Sequence, residues 1–382
     1  MNQSISSIGS PSSNFVFAAF NARNRKKNEA GFGSAADYLD QVVRVIREID
    51  PTAEVSDIFR QSYGGEEFFR FNLSTFPHRA ELKQLRFAMK PNNEINAEMP
   101  NNTELFCNEF YRRYSLRPAP KPLKLSDEVS RTYQFPTFYG NVSCAIGIFM
   151  CSYAKAEAMM LHPQIKPIKM TRGRSLVIFS CYEYKNVHEI GPYNEIAMTI
   201  PVMVKPTVNV PVLPMLLPIF KKFGYFVFSM PVTSLENRIR GNDIWGLPKV
   251  VQEIDISTDG DDCVTTGKEE SGETYFRLRV PKSGNSTHFD VVSNLYSRLG
   301  DELLQSATAF KADFNVNKYM KMLVSSSMQP DQPYLTLGDS PSGKALQQLD
   351  IDPHPFQFRY ATGVSACFDL PNDSFQSPIK FS

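Results

Sequence analysis

Alternation of apolar and polar residues dominates the middle of the chain. Over residues 274–281, Phe276, Leu278 and Val280 alternate with Tyr275, Arg277 and Arg279, the period of two that marks a half-buried strand. Further apolar runs predict strands over 68–73, 142–150, 175–184, 195–205, 224–230 and 250–257. A helical period is rarer. Tyr38, Leu39, Val42, Val43 and Ile46 share one face of a helix predicted over 35–49, which Asp50-Pro51 stops. Shorter helices are predicted over 79–89, 101–113 and 155–161, and Leu295, Leu299, Leu303 and Leu304 predict another within 291–310. Strands dominate and their connections are short, so the expected class is α+β: a mainly antiparallel sheet or barrel with a few covering helices.

Breaks in this pattern divide the chain. Residues 1–34, rich in Ser, Asn, Gly and Ala, predict a flexible leader, and 35–120 a helical or α+β extension. Prolines at 118, 120 and 122 mark an extended linker before a β-rich domain over 121–320. The remainder, 321–382, is a tail whose Phe356, Phe358, Tyr360 and Phe368 predict packing on the body. With 42% apolar and 21% charged residues the chain has the composition of a folded soluble protein. Its 41 basic and 40 acidic residues exclude broad electrostatic capture of nucleic acid or anionic membrane. No run of 18 or more uncharged apolar residues predicts a membrane span, and the first ten residues lack the pattern of a secretory signal, so a cytoplasmic location is expected.

Six scattered cysteines without a Cys-x-x-Cys pair argue against a zinc site and leave free thiols. The five histidines are isolated, and there is no Gly-x-Gly-x-x-Gly, phosphate loop or Gly-x-Ser-x-Gly elbow, which argues against dinucleotide enzymes and serine hydrolases. Two stretches remain. In the first, a Gly191-Pro192 turn is followed by Tyr193 and by Glu195, at the head of a long and almost uncharged strand. Glu195 is either an inward acid or base, or a solvated strand-start residue. The second, 238–252, holds the single tryptophan, Trp245, and ends on Lys249 among Leu247, Val250 and Val251. A lysine there either snorkels to water or, if buried, sheds its proton and becomes a nucleophile. Arg238 and Arg240 stand either in a solvated loop or at a cavity edge, where they would receive a substrate carboxylate.

Together, Tyr-x-Glu-x-x-x-x-Ile-Pro-Val at 193–202 and Gly-x-Asp-Ile-Trp-Gly-x-Pro-Lys at 241–249 resemble the acetoacetate decarboxylase superfamily over roughly residues 135–310. The resemblance implies a cone-shaped β-barrel around an apolar cavity, homo-oligomers, and a Schiff-base lysine after the proline, here Lys249. It makes Lys249 and Glu195 the expected catalytic pair, with Tyr193, Ser180, Arg238, Arg240, Trp245, Leu247 and Val250 around the substrate. No metal or organic cofactor is expected. Four positions depart from the family pattern. Val250 stands where the namesake enzyme has a second lysine, Asn242 where the motif has arginine, and Ser180 where a second glutamate is expected, while the first-strand arginine maps near Cys144. Lysines are activated by desolvation or by a cationic neighbour, and acetoacetate decarboxylase is itself the standing example of this. With Val250 in place, desolvation by Trp245, Leu247 and Val250 is expected to act alone. The implied function is decarboxylation of a β-keto acid more apolar than acetoacetate. An aldolase or dehydratase using the same lysine and a non-catalytic apolar-ligand carrier are the alternatives.

Overall fold

The computed structural model describes residues 15–21, 56–63, 66–72, 92, 95 and 99–381 other than 208, 218, 326, 327 and 380. The chain forms two compact units, Met1–Lys90 with Asn96–Pro100, and Pro91–Ile95 with Asn101–Ser382. In the first, strands β1 (Phe15–Asn21), β2 (Ser56–Tyr63) and β3 (Glu66–Asn72) make an antiparallel sheet with β3 in the middle. The strand expected over 68–73 is β3. By contrast β1 lies inside the expected flexible leader, because Phe15 to Phe20 is an unbroken apolar run whose backbone groups pair with β3. The helices expected over 35–49 and 79–89 lie outside the described residues.

The second unit is built on long strands: β4 (Thr137–Ser152), β5 (Arg174–Tyr184), β6 (Tyr193–Val204), β7 (Phe223–Val232), the short β8 (Lys249–Val251), β9 (Asn285–Leu299), β10 (Glu302–Lys318) and β11 (Pro355–Pro371). Seven of them close a barrel in the order β7-β9-β10-β11-β4-β5-β6 and back to β7. Only β7 and β9 pair in parallel within this ring, and β8 adds to β7 as a parallel branch. A second, four-stranded sheet (Glu253–Asp259, Asp262–Lys268, Thr274–Pro281 and Leu335–Leu337) lies against the outside of β4, β5 and β6. Phe276 and Leu278 pack there with Phe149, Phe179 and Cys181. These three barrel strands are therefore buried on both faces, one toward the second sheet and one toward the barrel interior. That is why 193–204 is buried at every position and lacks the alternation of a half-exposed strand.

Four α-helices occur among the described residues: α1 (Tyr153–Ala158), α2 (Leu213–Leu216), α3 (Leu235–Trp245) and α4 (Pro341–Gln347). None is long and apolar enough to cross a membrane. The helix expected over 155–161 is α1. The one expected over 101–113 is instead two single 3₁₀ turns, Thr103–Phe106 and Tyr111–Arg113. Between them Asn108 Oδ1 accepts from Phe110 N at 2.9 Å, a local bond that competes with helix continuation. Phe106, Phe110 and Tyr111 pack on Phe138 and Cys367 of the barrel, so the boundary expected near 120 falls before Asn101. The helix expected within 291–310 is the β9–β10 hairpin, turning at Gly300 with φ of 58°. The tail supplies β11, a barrel strand between β10 and β4, rather than a cover laid on a finished body.

Candidate active site

Lys249 is positioned by a helix end and a strand start. Ser234 Oγ caps α3 by accepting from Asn237 N at 3.3 Å. At the other end Gly246 adopts the left-handed conformation and returns its N–H to Asn242 O. A side chain at Gly246 would also strike the Arg298 carbonyl, which would lie 2.0 Å from its Cβ. Pro248 then directs the chain into β8. Asn242, at the family's arginine position, clamps the lysine backbone: its Oδ1 accepts from Lys249 N at 3.2 Å and its Nδ2 donates to Lys249 O at 3.3 Å. The lysine stem runs over Gly241, where a Cβ would lie 2.4 Å from Lys249 Cδ and 2.6 Å from Cε. No larger residue leaves room for it.

Strand order brings the catalytic candidates together. β7 has β6 on one side and β8 on the other, with Val232 opposite Glu195 and Met230 opposite Lys249. Two strand spacings amount to about 10 Å, a gap that a four-carbon stem reaching over β7 can close. Lys249 Nζ accordingly lies 2.6 Å from Glu195 Oε2, with both side chains buried. Tyr184 Oη donates to the other carboxylate oxygen at 3.1 Å. The Tyr193 ring lies 5.7 Å from Nζ. Burial pushes the Lys249 amine below its ordinary value, Glu195 opposes that shift by attraction and by its hydrogen bond, and the charge of Arg240 adds to it. Burial likewise raises the Tyr184 and Tyr193 phenols, and holds Tyr139 at about 12, so these hydroxyls stay protonated donors.

Lys249 and Glu195 open on a cavity of about 110 Å³ inside the barrel, walled mainly by apolar side chains such as Leu247, Met230, Phe310 and Phe368. Trp245 stands behind that wall: its ring stacks on Phe368 at 4.8 Å and its Nε1 donates to Asp369 O at 2.8 Å, pinning α3 to β11. Ser180 is buried beside Tyr182 and hydrogen-bonds to it, away from the lysine. Glu183 faces the other way and meets Lys185 at 3.5 Å. Val250 does not wall the cavity. Strand alternation that turns Lys249 inward turns Val250 outward, and it is 46% exposed.

The two arginines separate for the same kind of reason, since residues two apart on a helix point to different sides. Arg238 is half-buried and does not line the cavity. Arg240 is buried, donates to Thr137 Oγ1 at 2.9 Å and to Asn237 Oδ1 at 3.1 Å, and stacks 4.4 Å over Tyr133. The nearby carboxylate, Glu236, is held by Arg131 at 2.7 Å and by Tyr133 Oη at 2.6 Å. Burial remains the largest influence on the Lys249 amine, and the charge of Arg240 adds a smaller downward push that the Val250 position does not supply. The Tyr139 hydroxyl interacts with both Arg240 and Tyr193, linking the guanidinium to the ring beneath the amine. Arg240→Gln is expected to raise the Lys249 pKa. Labelling of the lysine by a carbonyl compound would then be several-fold slower near pH 7 and recover at alkaline pH; a pH profile identical to wild type would remove Arg240 from this role.

Residues 120–295 match the family model for acetoacetate decarboxylase. No curated protein matches the chain. Among solved structures, acetoacetate decarboxylase from Legionella pneumophila is similar at 12% identity, covering 64% of this chain and 88% of its own, with a TM-score of 0.46. An acetoacetate decarboxylase-like enzyme from Sphingomonas wittichii matches at 13% identity over 65% of this chain and 95% of its own, with a TM-score of 0.39. The enduracididine biosynthesis enzyme MppR, complexed with a condensation product of pyruvate and imidazole 4-carboxaldehyde, matches at 11% over 62% and 87%, with a TM-score of 0.40. The paired sequence motifs and the family match agree, and the domain that holds Lys249 and Glu195 belongs to the acetoacetate decarboxylase superfamily.

Proposed function

We propose that this protein is an imine-forming lyase in which Lys249 attacks the carbonyl carbon of a small ketone or aldehyde. The observation that carries this reading is the buried 2.6 Å Lys249–Glu195 contact at the wall of a largely apolar cavity. A lysine with a lowered pKa has its neutral form available, and the partner that takes a proton lies within hydrogen-bond reach. Before attack the Lys249 ammonium gives one proton to Glu195, and the freed amine nitrogen forms its bond to carbon. After attack a second nitrogen proton converts the alkoxide to the carbinolamine hydroxyl, and Glu195 then delivers the first proton to that hydroxyl, which leaves as water to give the iminium. Cleavage of the bond between the α and β carbons of the bound substrate then delivers its electron pair to the iminium as an enamine. With a β-keto acid the departing group is carbon dioxide. Protonation of the enamine carbon and return of water free the lysine.

A retro-aldol or dehydration uses the same imine. The protonated phenols Tyr139, Tyr182 and Tyr184 on the cavity wall favour it as a second reading, because they would hold a substrate hydroxyl. Cyanoborohydride trapping with short ketones and keto acids, followed by intact mass and peptide mapping, tests the common step. A single adduct on Lys249 is expected. Its rate should rise with pH as the amine loses its proton, with a midpoint below the ordinary lysine value of 10.5. Absence of any adduct with the whole series would leave an apolar-ligand carrier as the better reading, and release of carbon dioxide separates decarboxylation from the other two reactions.

A further inference from the structure

Across the barrel from Glu195 stands a cation that imine chemistry does not use. In the ring of seven strands β11 lies three places from β6 in one direction and four in the other, so its inward residues face the Lys249–Glu195 pair from the opposite wall. Arg359 of β11 is in register with Ile146 of β4. Directly opposed residues of an antiparallel pair share a face, and Ile146 lines the cavity; Arg359 itself is half-buried and stands just beyond that lining. The guanidinium of Arg359 sits 4.9 Å from the Phe289 ring, and Phe289 packs edge-on against the lining residue Phe314 at 5.2 Å.

Arg359, like Arg112, Arg172, Arg238, Arg277 and Arg298, meets no carboxylate among the described residues, and it is distinguished by a register that places it beside a lining residue. Arg113, Arg117, Arg131, Arg174 and Arg279 each meet a carboxylate within 2.9 Å. Arg359 donates only to a neutral acceptor, Gln357 Oε1, from Nε at 3.1 Å and Nη2 at 2.9 Å. Tyr225, Cys144 and Tyr182, all held neutral by burial, lie near enough to sense its charge, and the last two line the cavity. Arg359 is half-buried, and this partial burial pushes its pKa down, the direction expected of a guanidinium that loses some of its water without gaining a carboxylate. Such a charge is costly to bury, and an arriving anion offsets the cost. Inside the barrel Lys249 is matched by Glu195, whereas Arg240 and Arg359 are matched by no carboxylate among the described residues. Of these two, Arg240 is enclosed by Thr137, Asn237 and Tyr133, which leaves Arg359 to meet a ligand.

Building on the imine reading, we propose that Arg359 binds the carboxylate of a short keto acid or aldehyde acid whose carbonyl carbon meets Lys249. Tyr182 is level with both Glu195 and Cys144, and Ile146 lies two residues beyond Cys144. The two ends of the site are thus offset by about 7 Å along the strands. A cavity of about 110 Å³ is smaller than the roughly 150 Å³ that admits benzene, so it encloses only the carbonyl end of a short acid, with the carboxylate reaching past it toward Arg359. A carboxylate paired with Arg359 is a handle and not a leaving group, because its departure as neutral carbon dioxide would forfeit the ion pair.

The test compares 4-oxopentanoate with 2-pentanone, which present the same methyl ketone with and without the carboxylate. Half-saturating concentrations are read from cyanoborohydride trapping on Lys249. Wild type is expected to prefer the acid by about tenfold or more, close to 1.4 kcal/mol. In Arg359→Gln the preference should collapse toward one, and Arg359→Lys should keep part of it. A tenfold preference that survives in Arg359→Gln, or none in wild type, overturns the proposal. Butanoate, which cannot form an imine, supplies an independent arm: it should raise the melting temperature of wild type and of Lys249→Met, but not of either protein carrying Arg359→Gln. If no ketone is trapped but this Arg359-dependent shift is present, the lysine chemistry fails and the anion site stands. If butanoate gives no shift in any folded protein, the anion site fails whatever the lysine does.

Discussion

Lys249→Met is expected to yield a folded protein that no carbonyl compound labels, with turnover lower by on the order of 10⁴-fold or more. No neighbouring amine is placed to substitute: Val250 holds the next position, and Arg240 cannot lose its proton to become a nucleophile. The stability of the variant separates a catalytic ion pair from a structural one. Methionine leaves Glu195 buried with only the Tyr184 hydroxyl, and breaking one partner of such a pair costs about 3–5 kcal/mol. Lys249→Met/Glu195→Gln removes both charges and should recover most of that loss, or exceed wild type, since apolar replacement of a buried pair is often stabilising by about 1–4 kcal/mol. The sign of the pH dependence follows from the lowered lysine pKa. Between the folded value and the ordinary 10.5 the unfolded chain binds the extra proton, so wild-type stability should rise with pH across that window. The methionine variant lacks this rise. Urea unfolding of the three proteins at several pH values measures all of it. If the double variant is no more stable than Lys249→Met, the pair is held for folding and not for chemistry.

Lys249 and Glu195 were legible because each sits in a local motif, and the fold closes the 54 residues between them by placing both beside β7. The barrel class was legible in the alternating runs. What escaped depends on elements far apart in sequence or on which way a side chain turns. Arg359 comes from a strand that reads as tail, and only its register with the lining residue Ile146 puts it on the cavity's side of the barrel wall. Arg240 reads as a loop residue until α3 forms and buries it against Tyr133. Val250 is apolar and adjacent to the lysine, which suggests a place on the wall, but adjacent residues of a strand face opposite sides. The leucines at 295, 299, 303 and 304 fit a helical spacing by coincidence. The turn at Gly300, paired Leu299 to Glu302, resets the phase midway, and the alternation on either side is that of a hairpin.

Gly241→Ala should abolish most of the chemistry while leaving the barrel intact. Its position inside α3 costs the wild-type helix up to about 1 kcal/mol relative to alanine, a preference that has to be offset by something the glycine permits. The contact distances identify it: an added methyl would stand 2.4 Å from Lys249 Cδ and 2.6 Å from Cε, well inside van der Waals contact. The helix cannot back away, since Trp245 is fixed to Asp369 O and Gly246 abuts the Arg298 carbonyl. The lysine backbone cannot move either, because Asn242 holds both its N–H and its carbonyl. The stem must therefore swing, carrying Nζ away from Glu195. A misplacement of about 1 Å at a reacting atom costs on the order of 10²-fold, and the trapping rate of Gly241→Ala should fall by that amount. Overall stability should change by no more than about 2 kcal/mol, because the clash falls on a flexible side chain and the alanine favours the helix. Trapping at the wild-type rate would mean that Lys249 reaches its substrate by a path that does not cross Gly241. Unfolding of the variant would mean that the helix, not the lysine, is the stiffer partner in this contact. The larger Gly241→Ser distinguishes these outcomes further: a steric cause predicts a deeper loss of trapping than with alanine, at similar melting temperatures.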